Sequence, residues 1–176
     1  MSSLGRDLLL SSITKYFNEH PEHLETIILI INGKYNLSLR MLDWLVTHYA
    51  KKKNIIYWID PKEDIYYSKL PRNIEIANRV VKFDMNIEYR GQLKSYTKQY
   101  TDPFRRHNRI TYMVDNDRSI ETTIGQLNFF RWVFRNKVID YAINNKNAIV
   151  ADMCKENTTK KKDQKTTKKA SYVVFE

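Results

Sequence analysis

The chain opens with helical periodicity. Leu9, Ile13, Tyr16 and Phe17 recur at three- and four-residue intervals, which predicts one amphipathic helix from Ser3, as its cap, to the stop at His20-Pro21. Pro21 suits the first turn of a second helix, Glu22 to Asn32, with Gly33 placed to close it. The run Thr26–Ile31 is β-branched enough to compete as a strand, and helix is the preferred assignment. Ser38 begins the next helix, where Leu39, Leu42, Leu45, Val46 and Tyr49 share a face and Lys51, Lys52 and Lys53 complement the dipole at the end.

The period then changes. Ile55–Ile59 reads as a short buried strand ended by Asp60-Pro61. Val81, Phe83, Met85, Ile87 and Tyr89 alternate strictly with polar residues, predicting a strand that runs to Tyr89. Beyond it Tyr89, Leu93, Tyr96 and Tyr100 form a helical stripe that Asp102-Pro103 terminates. Arg109–Val114 and Ser119–Thr122 flank Asp115–Arg118, a turn composition that predicts a hairpin. Thr123 and Gln126 have capping-box spacing and open a helix apolar on nearly every side, from Ile124 to Phe134. That helix is expected at the centre of the domain, with Arg135-Asn136-Lys137 interrupting it before Val138–Met153 continues as helix.

Helices and strands mix without a βαβ rhythm, so the expected class is α+β: a small mixed or antiparallel sheet packed against several helices. Residues 1–154 are expected to form one globular domain. Residues 155–170 have too little apolar content to order themselves and are expected as a disordered, mobile lysine-rich loop. Residues 171–176, with Tyr172–Phe175 strand-like, are expected to return to the sheet as a C-terminal strand. The single cysteine, Cys154, excludes an intramolecular disulfide and fits a reducing compartment. The longest apolar stretch, Ile27–Ile31, is far short of a membrane span, so no transmembrane segment is expected.

Charge adds the functional signal. The net charge is +10. Tyr89–Arg109 holds six cations (Arg90, Lys94, Lys98, Arg105, Arg106 and Arg109) against one carboxylate, and Lys155–Ala170 holds seven lysines against two. These two segments carry the whole excess over a balanced body, a localisation that points to a polyanionic partner, nucleic acid above all. Arg90, Lys94 and Lys98 at one-turn spacing fit a phosphate backbone, with Lys160, Lys161 and Lys162 as a flexible electrostatic arm. Tyr96 and Tyr100 are candidate stacking platforms for unpaired bases, or else members of a packing face.

No residue type stands in a reaction-specific arrangement. The four glycines make no phosphate loop, so no nucleotide fingerprint is present. His20 and His23 lack a further histidine or cysteine and read as a surface pair flanking a proline. Asp115, Asp117, Ser119 and Glu121 imitate a calcium loop, yet Ile120 and Gln126 stand where Gly and Glu belong. Asp60, Glu63 and Asp64 read as a solvated acidic turn, and Cys154 as an incidental helix-end thiol. Arg131, Arg135 and Lys137 tempt a helix-turn-helix reading, but their helix is too apolar to lie exposed in a groove. The expectation is a non-enzymatic protein with no cofactor and no metal.

The segments YRGQLKSYTKQYTDPFRR, TTIGQLNFFRWVFRNKVIDY and SLRMLDWLVTHYAKK resemble the hallmark blocks of a conserved uncharacterised family of nucleocytoplasmic large DNA viruses, mimivirus-like and chlorella-virus-like. The resemblance covers most of Leu39–Met153 and extends to a lysine tract followed by a hydrophobic strand. It implies a viral origin and supplies no catalytic residues. It also implies action in a viral factory of the host cytoplasm or in the virion, with the host nucleus open, and viral proteins as possible partners. The rival expectation is a structural or scaffold protein of the virion, or a transcription accessory factor working through protein contacts.

Overall fold

The computed structural model describes the backbone of residues 1–170 and the side chains of residues 1–161. It is α+β, and the two small sheets among the described residues are both antiparallel. Helix α1 (Ser3–Glu19) is capped by Ser2, one residue before the expected cap, whose hydroxyl accepts from the Gly5 amide. Helix α2 (Pro21–Ile31) has proline in its first turn, and Gly33 at φ +68° follows its end. The isoleucine run is therefore helical, because Leu24, Ile27 and Ile30 bury as one face. Helix α3 (Leu39–Trp44), capped by Ser38, passes through a π-helical stretch at Leu45–Tyr49 into α4 (Ala50–Lys53), and Asn54 in the left-handed region stops it.

Strand β1 (Ile56–Asp60) is the middle of a three-stranded sheet, between β2 (Ile65–Tyr67) and β3 (Val81–Asp84). Tyr57 faces Phe83 across the β1–β3 ladder, and Trp58 faces Tyr67 across β1–β2. Helix α5 (Ile74–Arg79), capped by Asn73, links β2 to β3. The acidic turn is not simply solvated. Asp60 is fully buried and receives bidentate hydrogen bonds from Arg79 at 2.8–3.1 Å, which hold its carboxyl below the usual range.

The strand expected to reach Tyr89 stops at Asp84. Asp84 accepts from the Ile87 amide and caps helix α6 (Met85–Tyr96), so the alternation beyond it is coincidental. Ile87 consequently points outward while Met85 and Tyr89 are buried. Thr97, at φ +64° and ψ 164°, breaks α6 before a 3₁₀ turn at Lys98–Tyr100. Hairpin β4 (Ile110–Met113) and β5 (Ser119–Thr122) forms as expected, with Asp115 accepting from the amides of Asp117 and Arg118.

Helix α7 (Ile124–Arg135) is the core element. Thr123 caps it by accepting from the Gln126 amide. Leu127, Phe129, Phe130 and Val133 are fully buried, and Tyr89 packs on Trp132 with ring centroids 5.3 Å apart. Each fully buried side chain of this size stabilises by about 1.5–3 kcal/mol. Lys137, in the left-handed region, separates α7 from α8 (Val138–Asn144).

Helix α9 (Lys146–Ala170) corrects the expected loop: its backbone continues helically through the lysine-rich residues to Ala170. Its first half is fastened by buried Ile149 and by Asp152, which accepts from Trp44 and Lys52. Lysine is a good helix former, and extending a formed helix needs no new nucleus. Residues 171–176, expected as a returning strand, lie outside the described residues.

Two glycines give opposite expectations. A Cβ on Gly125 would stand 2.8 Å from the Gln99 carbonyl oxygen, so α7 and the segment below it would have to part. Gly91 lies in exposed helix with nothing within 4 Å of an added Cβ. Urea unfolding should show Gly125→Ala destabilising by about 1–3 kcal/mol and Gly91→Ala stabilising by about 0.5–1 kcal/mol.

Candidate anion-binding surfaces

The cations expected to track phosphates occupy three places. Arg90 and Lys94 lie one turn apart on the solvent side of α6, both exposed. Arg105, Arg106 and Arg109 share a hollow of about 240 Å³ with Phe104, Glu121 and the N-terminal turn of α7. Lys160 and Lys161 are exposed on α9, where Lys160 hangs 5.8 Å over the Trp44 ring and 4.0 Å from Glu156. Lys98 stands between the first two places, 3.9 Å from Asp102. The side chain of Lys162 lies outside the described residues.

The hollow is built by the loop after the 3₁₀ turn. Asn128 donates to the Tyr100 carbonyl at 2.7 Å and Gln126 donates to the Pro103 carbonyl at 3.2 Å, clamping the loop to α7. Asp102 accepts from the Phe104 amide, turning the chain so that Arg105 enters the hollow. Arg105 Nε is buried there without a hydrogen-bond partner, as is Thr101 Oγ1. Among the described residues no carboxylate oxygen lies within 4 Å of Arg90, Lys94, Arg105, Arg106 or Arg109.

The tyrosine stripe is a packing face. Tyr89 is buried, and Tyr96 and Tyr100 are half-buried against the core. Tyr100 also receives a hydrogen bond from Gln99 on its hydroxyl, and Tyr96 borders the cleft between α6 and α7. Burial raises the Tyr89 hydroxyl well above its usual range.

A second group of cations, weighed in the sequence only as a groove-reading set, includes two that stand in the apolar helix. Arg131 and Arg135, one turn apart on α7, form a ridge between two clefts. One cleft, about 490 Å³, lies between α1, α2 and α7 and includes Lys15, Tyr16, His20, His23 and Lys137. The other, about 690 Å³, lies between α6 and α7 and includes Glu88, Gln92 and Tyr96. The signal was visible as an arginine within an otherwise apolar run, where a charge is costly to bury. It is not a groove-reading helix: Arg131 and Lys137 are buried, and Lys137 pairs with Asp64.

The histidines at the cleft mouth are better organised than a surface pair. His23 stacks on Phe134 with ring centroids 4.3 Å apart, and its Nδ1 lies 2.9 Å from the Tyr16 hydroxyl. Glu22 contributes Oε1 at 3.4 Å from His20 Nδ1 and 3.6 Å from His23 Nε2, so three donor atoms of metal-ligating type lie within 4.8 Å of one another. Glu22, the carboxylate between the two histidines in sequence, is what makes the pair a cluster of three. Glu22 beside Nε2 favours the tautomer in which Nδ1 accepts from Tyr16.

Residues 2–174 match a family model described as "Family of unknown function (DUF7197)". The chain is 35% identical over 170 residues to "Uncharacterized protein L507" of Acanthamoeba polyphaga mimivirus, an alignment covering 94% of this chain and 60% of that protein. The chain thus spans about 60% of the length of the relative it matches. No solved structure matches it. Among the described residues no helix is long and apolar enough to cross a membrane.

Burial holds the His23 imidazole below its usual range, an effect that Glu22 opposes in part and His20 and Lys137 reinforce. The unfolded chain therefore binds a proton that the folded chain resists. Stability is full above the ordinary histidine range and falls as pH drops through it, levelling off below the folded value. The urea midpoint should decline between pH 7.5 and 5.5, and His23→Gln should flatten that decline whatever its baseline stability.

Proposed function

This chain belongs to DUF7197, a family of unknown function, and has a mimivirus relative, and we propose that it is a non-enzymatic nucleic-acid-binding protein of a giant virus. It acts through phosphate contacts, in the viral factory of the host cytoplasm or packaged with the genome in the virion. The observation that carries this reading is the arginine hollow. Three arginines within five residues converge on the N-terminal turn of α7, and none is neutralised by a carboxylate among the described residues. Arginine forks and a helix N-terminus both favour phosphate oxygens. Arg90, Lys94 and Lys98 extend the contacts, and Lys160 and Lys161 add charge from α9. With Tyr96 and Tyr100 half-buried against the core, the reading rests on backbone contact, and hence on duplex as readily as single strand.

A structural role in the virion is a second reading, favoured by a different observation. Ile65, Leu70, Ile74, Val81 and Ile87 all expose large apolar side chains along the β2–α6 stretch, an unusual number for so short a segment. Oligomers of the intact chain that are indifferent to salt and nucleic acid would favour it.

Filter binding of a short duplex across salt tests the first reading. If the six ordered cations touch phosphates, the log–log slope should be about −5, and Arg105→Ala/Arg106→Ala/Arg109→Ala should make it shallower by about 3. A wild-type slope shallower than about −2 contradicts phosphate contact by this set.

A further inference from the structure

We infer that the cleft between α1, α2 and α7 is a binding site for a phosphomonoester group, separate from the surface cations and held by Arg131 and Arg135. The observation is a buried cation without an anion. Arg131 is only 5% exposed, yet its guanidinium bonds to two neutral oxygens, Ser12 Oγ and Asn128 Oδ1, each at 2.7 Å. Among the described residues no carboxylate oxygen lies within 4 Å of it. A buried charge in such a position costs several kcal/mol unless something compensates it. Desolvation, the largest influence on Arg131, pulls it below its usual range, and Tyr96 opposes this only in part.

The surroundings fit one ligand chemistry. Asn128 is held by its own bond to the Tyr100 carbonyl, so its amide oxygen is fixed toward Arg131 and orients the fork. Each terminal guanidinium nitrogen makes one hydrogen bond and keeps a second N–H to donate, and Arg131 lines the clefts on both sides of α7. In the α1–α2–α7 cleft the cations are Lys15, Arg131, Arg135 and Lys137, against the carboxylates of Glu19 and Asp64. Asp64 is already engaged by Lys137, and Glu22 lies against the two histidines at the mouth. The excess of two positive charges in the lining is what a dianionic phosphomonoester neutralises at neutral pH. Ser12, whose oxygen accepts from Arg131, keeps a hydroxyl proton to donate at the same wall. The cleft, at about 490 Å³, is of nucleotide size, and it shares Arg131 and Arg135 with the larger one. The phosphate belongs at the ridge, with the rest of the ligand lying to either side.

Isothermal titration at constant ionic strength, with EDTA present so that no metal contributes, tests the assignment on the full chain. The probes are inorganic phosphate, adenosine 5′-monophosphate, adenosine, and an oligonucleotide with and without a 5′-phosphate. Phosphate-bearing probes should bind and adenosine should not. Arg135→Ala, an exposed position whose loss leaves the core intact, should weaken binding about tenfold, as expected for losing one charge-assisted contact. Arg131→Lys, which keeps the charge and loses the fork, should also weaken it. Tighter binding of the mononucleotide, or of the phosphorylated strand end, identifies which source of phosphate the cleft takes, and either outcome supports the site. The assignment is overturned if no phosphate-bearing probe binds at 10 mM, about where such contacts fade from measurement. It is also overturned if adenosine binds as well as its monophosphate, or if both variants match the wild type. The triple variant Arg105→Ala/Arg106→Ala/Arg109→Ala separates this site from the surface reading, because it should lose duplex affinity and keep phosphomonoester affinity.

Discussion

Helix α7 has to be covered on nearly all sides, and the rest of the molecule is arranged to cover it. Ten of its twelve residues are buried. Aromatic rings from several elements reach its flanks: Tyr89 from α6, Phe83 from β3 and His23 from α2. A helix this apolar has no stable exposed state, so the hydrophobic effect alone fixes where it goes. What the effect does not fix is register. The polar groups embedded in α7 do that: Asn128 and Gln126 donate to the carbonyls of Tyr100 and Pro103, and Arg131 reaches Ser12 on α1. Buried polar groups are costly unless paired, so these bonds leave the neighbours one seating and not several.

That seating explains what could and could not be read from residues alone. Local rules were sufficient at several caps and turns. Thr123 starts α7, Asp115 makes the hairpin turn, and Lys137 separates two helices. They failed where a local signal was ambiguous. Val81 to Tyr89 alternates like a strand, yet Asp84 caps a helix there, because Met85 and Tyr89 bury on one helical face while Ile87 is left outside. Thr97 breaks α6 in a conformation that a β-branched residue rarely takes, so nothing in its type announced the break. The lysine-rich stretch failed for the opposite reason. Composition argued against order, whereas a packed first half of α9 gives the helix a nucleus from which to extend.

The cations divide in the same way. Charge density along the sequence found the exposed arginines and lysines of α6, the following loop and α9, since exposed charges need no partner and can cluster freely. Arg131 stood out only as a member of a rejected groove-reading set, because a single charge among ten buried positions barely registers in composition. The glutamate between His20 and His23 escaped for a related reason: its relevance depends on Pro21 opening a helix that turns all three side chains to one side.

These two classes of cation do not carry equal weight. An exposed arginine is hydrated, and its ion pairs contribute little, so its lack of a partner says only that it is available. A buried arginine has given up its hydration, and folding alone returns it two neutral acceptors. The apolar packing of α7 can bear that cost, but it does not explain why an arginine stands where leucine or methionine would pack without penalty. A ligand anion does explain it, because the charge is then compensated only in the bound state. The same unbalanced ridge between two clefts would make the fold slightly less stable when empty and selectively stabilised when occupied, the relation expected of a site kept for binding.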